Sequence, residues 1–322
     1  MIASIPMPQQ ANHPLPSGFQ LNEYRIENQL SLGGFSIVYL ASDAQSRLVA
    51  IKEYLPNSLA LRSAGDIKPL ISEEHMPAFR YGMKCFFEEG RALAGLSHPN
   101  VIRVLNFFRA NDTVYMVMEY EHGRTLQEFI RGNRSVITEN FMRNVFTKLL
   151  NGLREVHSHK LLHLDIKPSN IYMRGDHAPV LIDFGAARQT LATDTPILKP
   201  MYTPGFASPE HYFHREFLGP WSDLYSVGAC MYACLAASSP QSADSRMDDD
   251  KLPLAQTRWQ GEYSGQLLET IDWCLRLDHL ERPQSAFALQ KALTAKIPKP
   301  HASKPSWINR VFGRLKGKSE ES

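Results

Sequence analysis

The sequence predicts an α+β chain in which an antiparallel sheet with one main helix precedes a mainly helical second half. Residues Tyr24 to Leu40 and Leu48 to Tyr54 alternate apolar and polar side chains between turn formers, the period of half-buried strands. Phe141, Val145, Leu149, Leu153 and Val156 instead recur at three to four residues, which places them on one face of a helix. A second stripe of that spacing, Phe86, Phe87, Leu93 and Leu96, supplies the helix of the first half.

With 322 residues and 43% hydrophobic content, the chain can bury a core for one large or two ordinary domains. A net charge of +2 gives no reason to expect a nucleic-acid partner. The four cysteines, Cys85, Cys230, Cys234 and Cys274, lack zinc-type pairing and read as reduced core thiols of a cytoplasmic protein. Residues 1–23 have no basic start followed by an apolar run, so they read as a flexible Pro-rich leader and not a secretion signal. The longest apolar stretch, Val227 to Ala237, is too short to span a bilayer.

Chemistry concentrates in two segments. His163-Leu164-Asp165-Ile166-Lys167-Pro168-Ser169-Asn170 is followed, after one strand's length, by Asp183-Phe184-Gly185. Together they provide a carboxylate to position an acceptor, an ammonium for a phosphoryl group and two oxygen ligands for hard cations. Asp165, Lys167, Asn170 and Asp183 fill these roles.

The ordered pair resembles the catalytic and metal-binding loops of Hanks-type, eukaryotic-like protein kinases. That resemblance implies a bilobal protein kinase fold over residues 24–294: an N-lobe at 24–118, a hinge at 119–123 and a C-lobe at 124–294. It also implies ATP and Mg²⁺ as cofactors, with Asp165 and Lys167 catalytic and Asn170 and Asp183 on the metal. Lysine two residues after the aspartate is the Ser/Thr form of the loop, which favours serine and threonine hydroxyls of protein substrates.

The remaining landmarks follow in order. Ser31-Leu32-Gly33-Gly34-Phe35-Ser36-Ile37-Val38-Tyr39 is similar to the glycine-rich loop that covers ATP phosphates, with serines where the first and third glycines would stand. Serine tolerates positive φ less well than glycine, so a stiffer or more distant loop is expected. Leu32, Gly33, Gly34, Val38 and Ala50 are assigned to the cofactor by this likeness. Val49-Ala50-Ile51-Lys52 resembles the family's lysine motif, with Glu89 as the expected partner of Lys52 and Glu88 as the alternative one residue away. An insertion opening with Glu53-Tyr54-Leu55-Pro56 resembles a bacterial Ser/Thr kinase group, some of it linked to type VI secretion; it reads as an excursion over the sheet or a regulatory surface. Tyr115 to Tyr120 resembles the strand entering the hinge, with Met118 as gatekeeper and the backbone of Glu119 and Glu121 facing adenine.

Downstream, Thr203-Pro204-Gly205-Phe206-Ala207-Ser208-Pro209-Glu210 resembles the end of an activation segment. Glu210 is expected to pair with Arg282, Thr203 to bond the catalytic aspartate and lysine, and Asp223 to anchor the catalytic loop. Leu93, Val104, His163 and Phe184 match the internal hydrophobic column. Leu164 stands where regulated kinases carry an arginine that receives a loop phosphate, so phosphorylation of Thr190, Thr193 or Thr195 is expected to be dispensable. The tail, 295–322, carries seven Lys/Arg against two Glu and reads as disordered. Its alternative is a basic amphipathic helix for an acidic partner or an anionic membrane surface, which would place the protein at the membrane periphery. The rival functional class is a pseudokinase that binds ATP as a scaffold, supported by Ser31, Ser36 and Leu164.

Overall fold

The computed structural model describes residues 12–132, 134–184 and 203–295. Strands β1 (Gln20–Leu21), β2 (Tyr24–Leu32), β3 (Ser36–Ser42) and β4 (Leu48–Tyr54) pair antiparallel in sequence order; β5 (Val104–Ala110) and β6 (Thr113–Glu119) complete a sheet ordered β1-β2-β3-β4-β6-β5. Period-two burial is explicit in β3, where Ile37, Tyr39 and Ala41 are buried and their neighbours half-buried. Central β4 is covered on both faces. Its register with β3 sets Lys52 opposite Val38, and that with β6 sets Ala50 opposite Met118 and Lys52 opposite Met116. The same-face rule for paired strands therefore gathers these side chains on one side of the sheet.

Helix α1 (Met76–Ala94) crosses between β4 and β5, burying Phe79, Phe86, Glu89 and Leu93, while Phe87 meets Phe107 edge-on at 4.6 Å. Beyond the sheet come β7 (Gly123–Thr125), α2 (Leu126–Gly132) and α3 (Glu139–Ser158). Thr138 caps α3 by accepting from the Phe141 N–H, and the predicted stripe from Phe141 to Val156 is buried. Strands β8 (Ile171–Arg174) and β9 (Pro179–Leu181) join β7 in a small sheet below the cleft. Helices α4 (Pro209–Tyr212), α5 (Pro220–Ala236), α6 (Ala243–Asp248), α7 (Ala255–Arg258), α8 (Gly265–Cys274) and α9 (Ala286–Thr294) follow. Residues 222–235 of α5 are all buried, so this helix is the core about which α3 and α8 pack. The cysteines form no disulfide, and Cys230, Cys234 and Cys274 are buried.

The leader departs from expectation. Residues 12–21 pack on the sheet: Asn12 and Leu15 are buried and β1 adds a strand at its edge. Four hydrogen-bond contacts of the Asn12 amide hold the segment, and Pro14 and Pro16 preset φ along its extended path. The insertion after Lys52 is an excursion along the sheet margin, with Leu55, Leu59, Ala60 and Arg62 buried and Leu61 bridged to Leu70.

Candidate active site

The loop from α3 to β8 owes its shape to one carboxylate. Asp223, fully buried near the start of α5, accepts the N–H of His163 at 3.0 Å and that of Leu164 at 2.8 Å, with His157 Nε2 2.8 Å away. Burial opposes its charge, but the bond and charge of His157, with His163, hold its carboxyl below the ordinary range. Leu164 sits at φ 60°, a conformation that strains a branched residue. The Asp223 bond on its N–H and the His211 ring 3.2 Å from its carbonyl brace it there. The Leu164 side chain is itself buried, so this position packs apolar atoms where a phosphate-receiving arginine would need access.

On that scaffold the polar groups converge. Lys167 Nζ lies 2.8 Å from Asp165 Oδ2 and donates to Thr203 Oγ1 at 2.9 Å; Thr203 Oγ1 donates in turn to Asp165 Oδ1 at 3.0 Å. Asn170 Nδ2 donates to the Asp165 carbonyl at 2.9 Å and to its Oδ2 at 3.0 Å. The amide hydrogens are thereby committed, and its Oδ1 is the end left to accept.

Beside that loop, whose Asn170 carbonyl accepts the Ile182 N–H, Asp183 sits at φ 61° with its side chain 45% exposed, and Lys52 Nζ, from the sheet, donates to its Oδ1 at 2.5 Å. Partial desolvation in the cleft pushes its carboxyl up, but Lys52, by charge and hydrogen bond, with His163 and Lys167, carries it well below the usual carboxylate range. The ammonium of Lys52 bonds Asp183, and Glu89, the partner expected for Lys52, is buried on α1 and shares the cavity wall with it.

The cavity between sheet and helices has a volume of about 440 Å³. Val38, Ala50, Lys52, Glu89, Met118, Glu119, Glu121, Asn170 and Asp183 line it, as the sequence suggested. Leu32, Gly33 and Gly34 stand off its wall, and Leu30 and Ser31 line it in their place. Asn170 links the two groups, lining the cavity while bonding Asp165. Every residue from 31 to 36 has negative φ, so Ser31 and Ser36 carry none of the anticipated strain. His163 is fully buried with its ring 4.3 Å from Phe184 and Nε2 3.1 Å from the Ile182 carbonyl. Burial lowers its pKa, which suits a neutral packing residue, and Leu93 and Val104 are buried as well.

Lower down, Arg282 grips Glu210 through both guanidinium ends, Nη1 to Oε1 at 2.8 Å and Nη2 to Oε2 at 2.9 Å, over the Tyr225 ring. Ser222 donates a further bond to Glu210. Three contacts carried no sequence signal: Arg174 of β8 pairs with Glu121 and donates to the Pro99 carbonyl, and His211 reaches Leu164. Thr190, Thr193 and Thr195 lie outside the described residues, as does most of the basic tail.

A two-lobed fold with a lysine-lined cleft facing an Asp–Lys–Thr cluster defines the protein kinase class. A family model described as the protein kinase domain matches residues 24–294, and the chain belongs to that family. It is 28% identical over 292 residues to serine/threonine-protein kinase D of Synechocystis sp., covering 86% of this chain and 53% of that protein. It is 30% identical to serine/threonine-protein kinase PknA of Nostoc sp., covering 84% and 47% respectively. The chain thus spans about half the length of these curated relatives. A solved structure, the PpkA-294 apo form, superposes with a TM-score of 0.77 at 35% identity, over 87% of this chain and 99% of that one. The Mycobacterium tuberculosis PknI kinase domain shares the fold at a TM-score of 0.64 and 18% identity.

Proposed function

We propose that this chain is a serine/threonine protein kinase that transfers the γ-phosphoryl group of Mg-ATP to hydroxyls of protein substrates. The observation that carries the reading is the closed Asp165–Lys167–Thr203 cluster, tied through Asn170 to a cavity that Lys52 and Asp183 also line. Asp165 orients the acceptor hydroxyl and takes its proton as the new O–P bond forms and ADP departs. Lys167 steadies the transferred group, and Thr203 holds the Asp165–Lys167 spacing. Lys52 grips the α- and β-phosphates. The backbone of Glu119 and Glu121 faces adenine beneath Val38, Ala50 and Met118.

The residues fit a hard cation. Asn170 Oδ1 and the ionised Asp183 carboxylate are oxygen donors on one wall, and they would hold Mg²⁺, which supplies neutralisation of phosphate charge. The bounds 24–118, 119–123 and 124–294 for lobe, hinge and lobe, and a cytoplasmic placement, belong to this same reading. Among the described residues no helix is long and apolar enough to cross a membrane.

Leu164 adds that activity does not wait on loop phosphorylation, since no arginine is there to pair with a phosphate. Replacing Thr190, Thr193 and Thr195 by alanine should leave the initial rate intact; a fall of about a hundredfold, near 2.7 kcal/mol of barrier, would sink it. The central test is labelled γ-phosphate transfer by wild type and Asp165→Asn, with product mapped to residue type. Phosphoserine or phosphothreonine from wild type alone is expected. Nucleotide binding without transfer in the presence of varied acceptors would favour the scaffold class.

A further inference from the structure

The loop between β2 and β3 is held from outside the nucleotide cleft. Pairing of β3 with β4 ends at Ser36 and Tyr54, yet it continues into the insertion: the Leu55 N–H donates to the Phe35 carbonyl and the Asn57 N–H to the Gly34 carbonyl, both at 2.9 Å. The backbone at the tip of the loop is therefore bonded to the insertion. Asn57 is itself held, because its Oδ1 accepts from Asn12 Nδ2 at 2.7 Å. Asn12 is 2% exposed, and its amide also reaches the Leu55 and Ala60 carbonyls and accepts from the Arg62 N–H.

Behind this chain of bonds lies a sealed anchor. Arg62, fully buried, binds both oxygens of Glu53 at 2.6 and 2.7 Å and donates through Nε to the His13 carbonyl at 2.8 Å. Glu53 follows Lys52 on β4, so it points away from the cleft that Lys52 enters. Residues 12 and 13, the insertion and the back of β4 thus form one rigid unit whose free end is the Gly34–Phe35 tip.

We propose that Asn12 and Asn57 are positioning residues for nucleotide phosphates: the N-terminal strap, acting through the insertion, pre-organises the loop that covers them. The proposal rests on the reading of the cleft as an ATP site. It accounts for a loop that departs from the three-glycine pattern, since a tip held by two external bonds needs less conformational latitude from its own residues. Of the parts of the cleft, the strap acts through Asn57 on the phosphate-covering tip, so loss of that link weakens phosphate binding and leaves adenine binding alone.

The test compares Mg-ATP with adenosine, each titrated calorimetrically into the full chain. Asn57→Ala removes only the side-chain acceptor and keeps the backbone bond to Gly34; Asn12→Ala removes the whole brace. Loss of the Asn12–Asn57 bond should weaken Mg-ATP about fivefold to tenfold in Asn57→Ala and at least as much in Asn12→Ala, with adenosine unchanged in both. The double variant should be no weaker than Asn12→Ala, because both act through one link. Equal weakening of both ligands would mean general loosening of the sheet and overturn the proposal, as would unchanged Mg-ATP affinity in Asn57→Ala. Lys52→Ala separates the two levels of the argument. If it too binds Mg-ATP as wild type does, the nucleotide site is misplaced and the proposal falls with it; if it loses affinity while Asn57→Ala does not, only the strap is refuted.

Discussion

Glu210 and Arg282 lie 72 residues apart in sequence and meet in a fully bidentate pair, with the arginine 2% exposed. Replacing one member leaves the other charge buried without its counter-ion, so Arg282→Met should destabilise the protein by about 3–5 kcal/mol in denaturant titration. The pH dependence has a definite sign. Burial works against the Glu210 charge, but the Arg282 bond and charge prevail and lower its folded pKa below the ordinary glutamate value. Its stabilising contribution is therefore complete above that ordinary value and is lost as pH falls through the lowered one. The stability gap between wild type and Glu210→Gln should accordingly shrink as pH is taken from about 6 to about 3. A gap that widens over this span would show that the carboxylate does not owe its charge to Arg282.

Among the elements, α5 bears the greatest constraint, because it is buried along nearly its whole length and presents Asp223 to the catalytic loop. Gly228 lets it approach α8: a Cβ there would stand 2.3 Å from the Cys274 Cβ. Gly228→Ala gains up to about 1 kcal/mol of helix propensity, yet the clash falls on an atom fixed to its backbone. A net loss of about 1–3 kcal/mol is expected, read as a lowered thermal midpoint. What the sequence disclosed at this scale follows from where its information lies. The stripe of α3, the alternation of β3 and the string from His163 to Asn170 are local, and each was legible. Lys52 and Asp183 were also found, but the bond between them depends on the φ 61° turn at Asp183, which no spacing records. Arg174 on Glu121, His211 on Leu164 and Arg62 on Glu53 join segments whose own patterns say nothing of each other.

At the scale of the whole molecule, polar contacts among the described residues tie the two lobes beside the cleft. The Arg174–Glu121 pair joins β8 to the segment between β6 and β7, and Asn100, ahead of β5, bonds the Pro179 carbonyl of β9. The N-terminal strap acts on a different boundary. The family match starts at residue 24, but the packed unit starts no later than residue 12, so a protein expressed from 24 to 294 would be cut through its own structure. Such a fragment would expose the β2 edge that β1 covers and strip the Arg62 guanidinium of the His13 carbonyl. It should melt below a fragment spanning 12–295 and self-associate more readily in light scattering. Equal melting points and equal dispersity would show the strap to be ornamental. The practical reach of the feature is that the borders by which relatives are recognised and the borders at which this chain becomes self-sufficient are two different things.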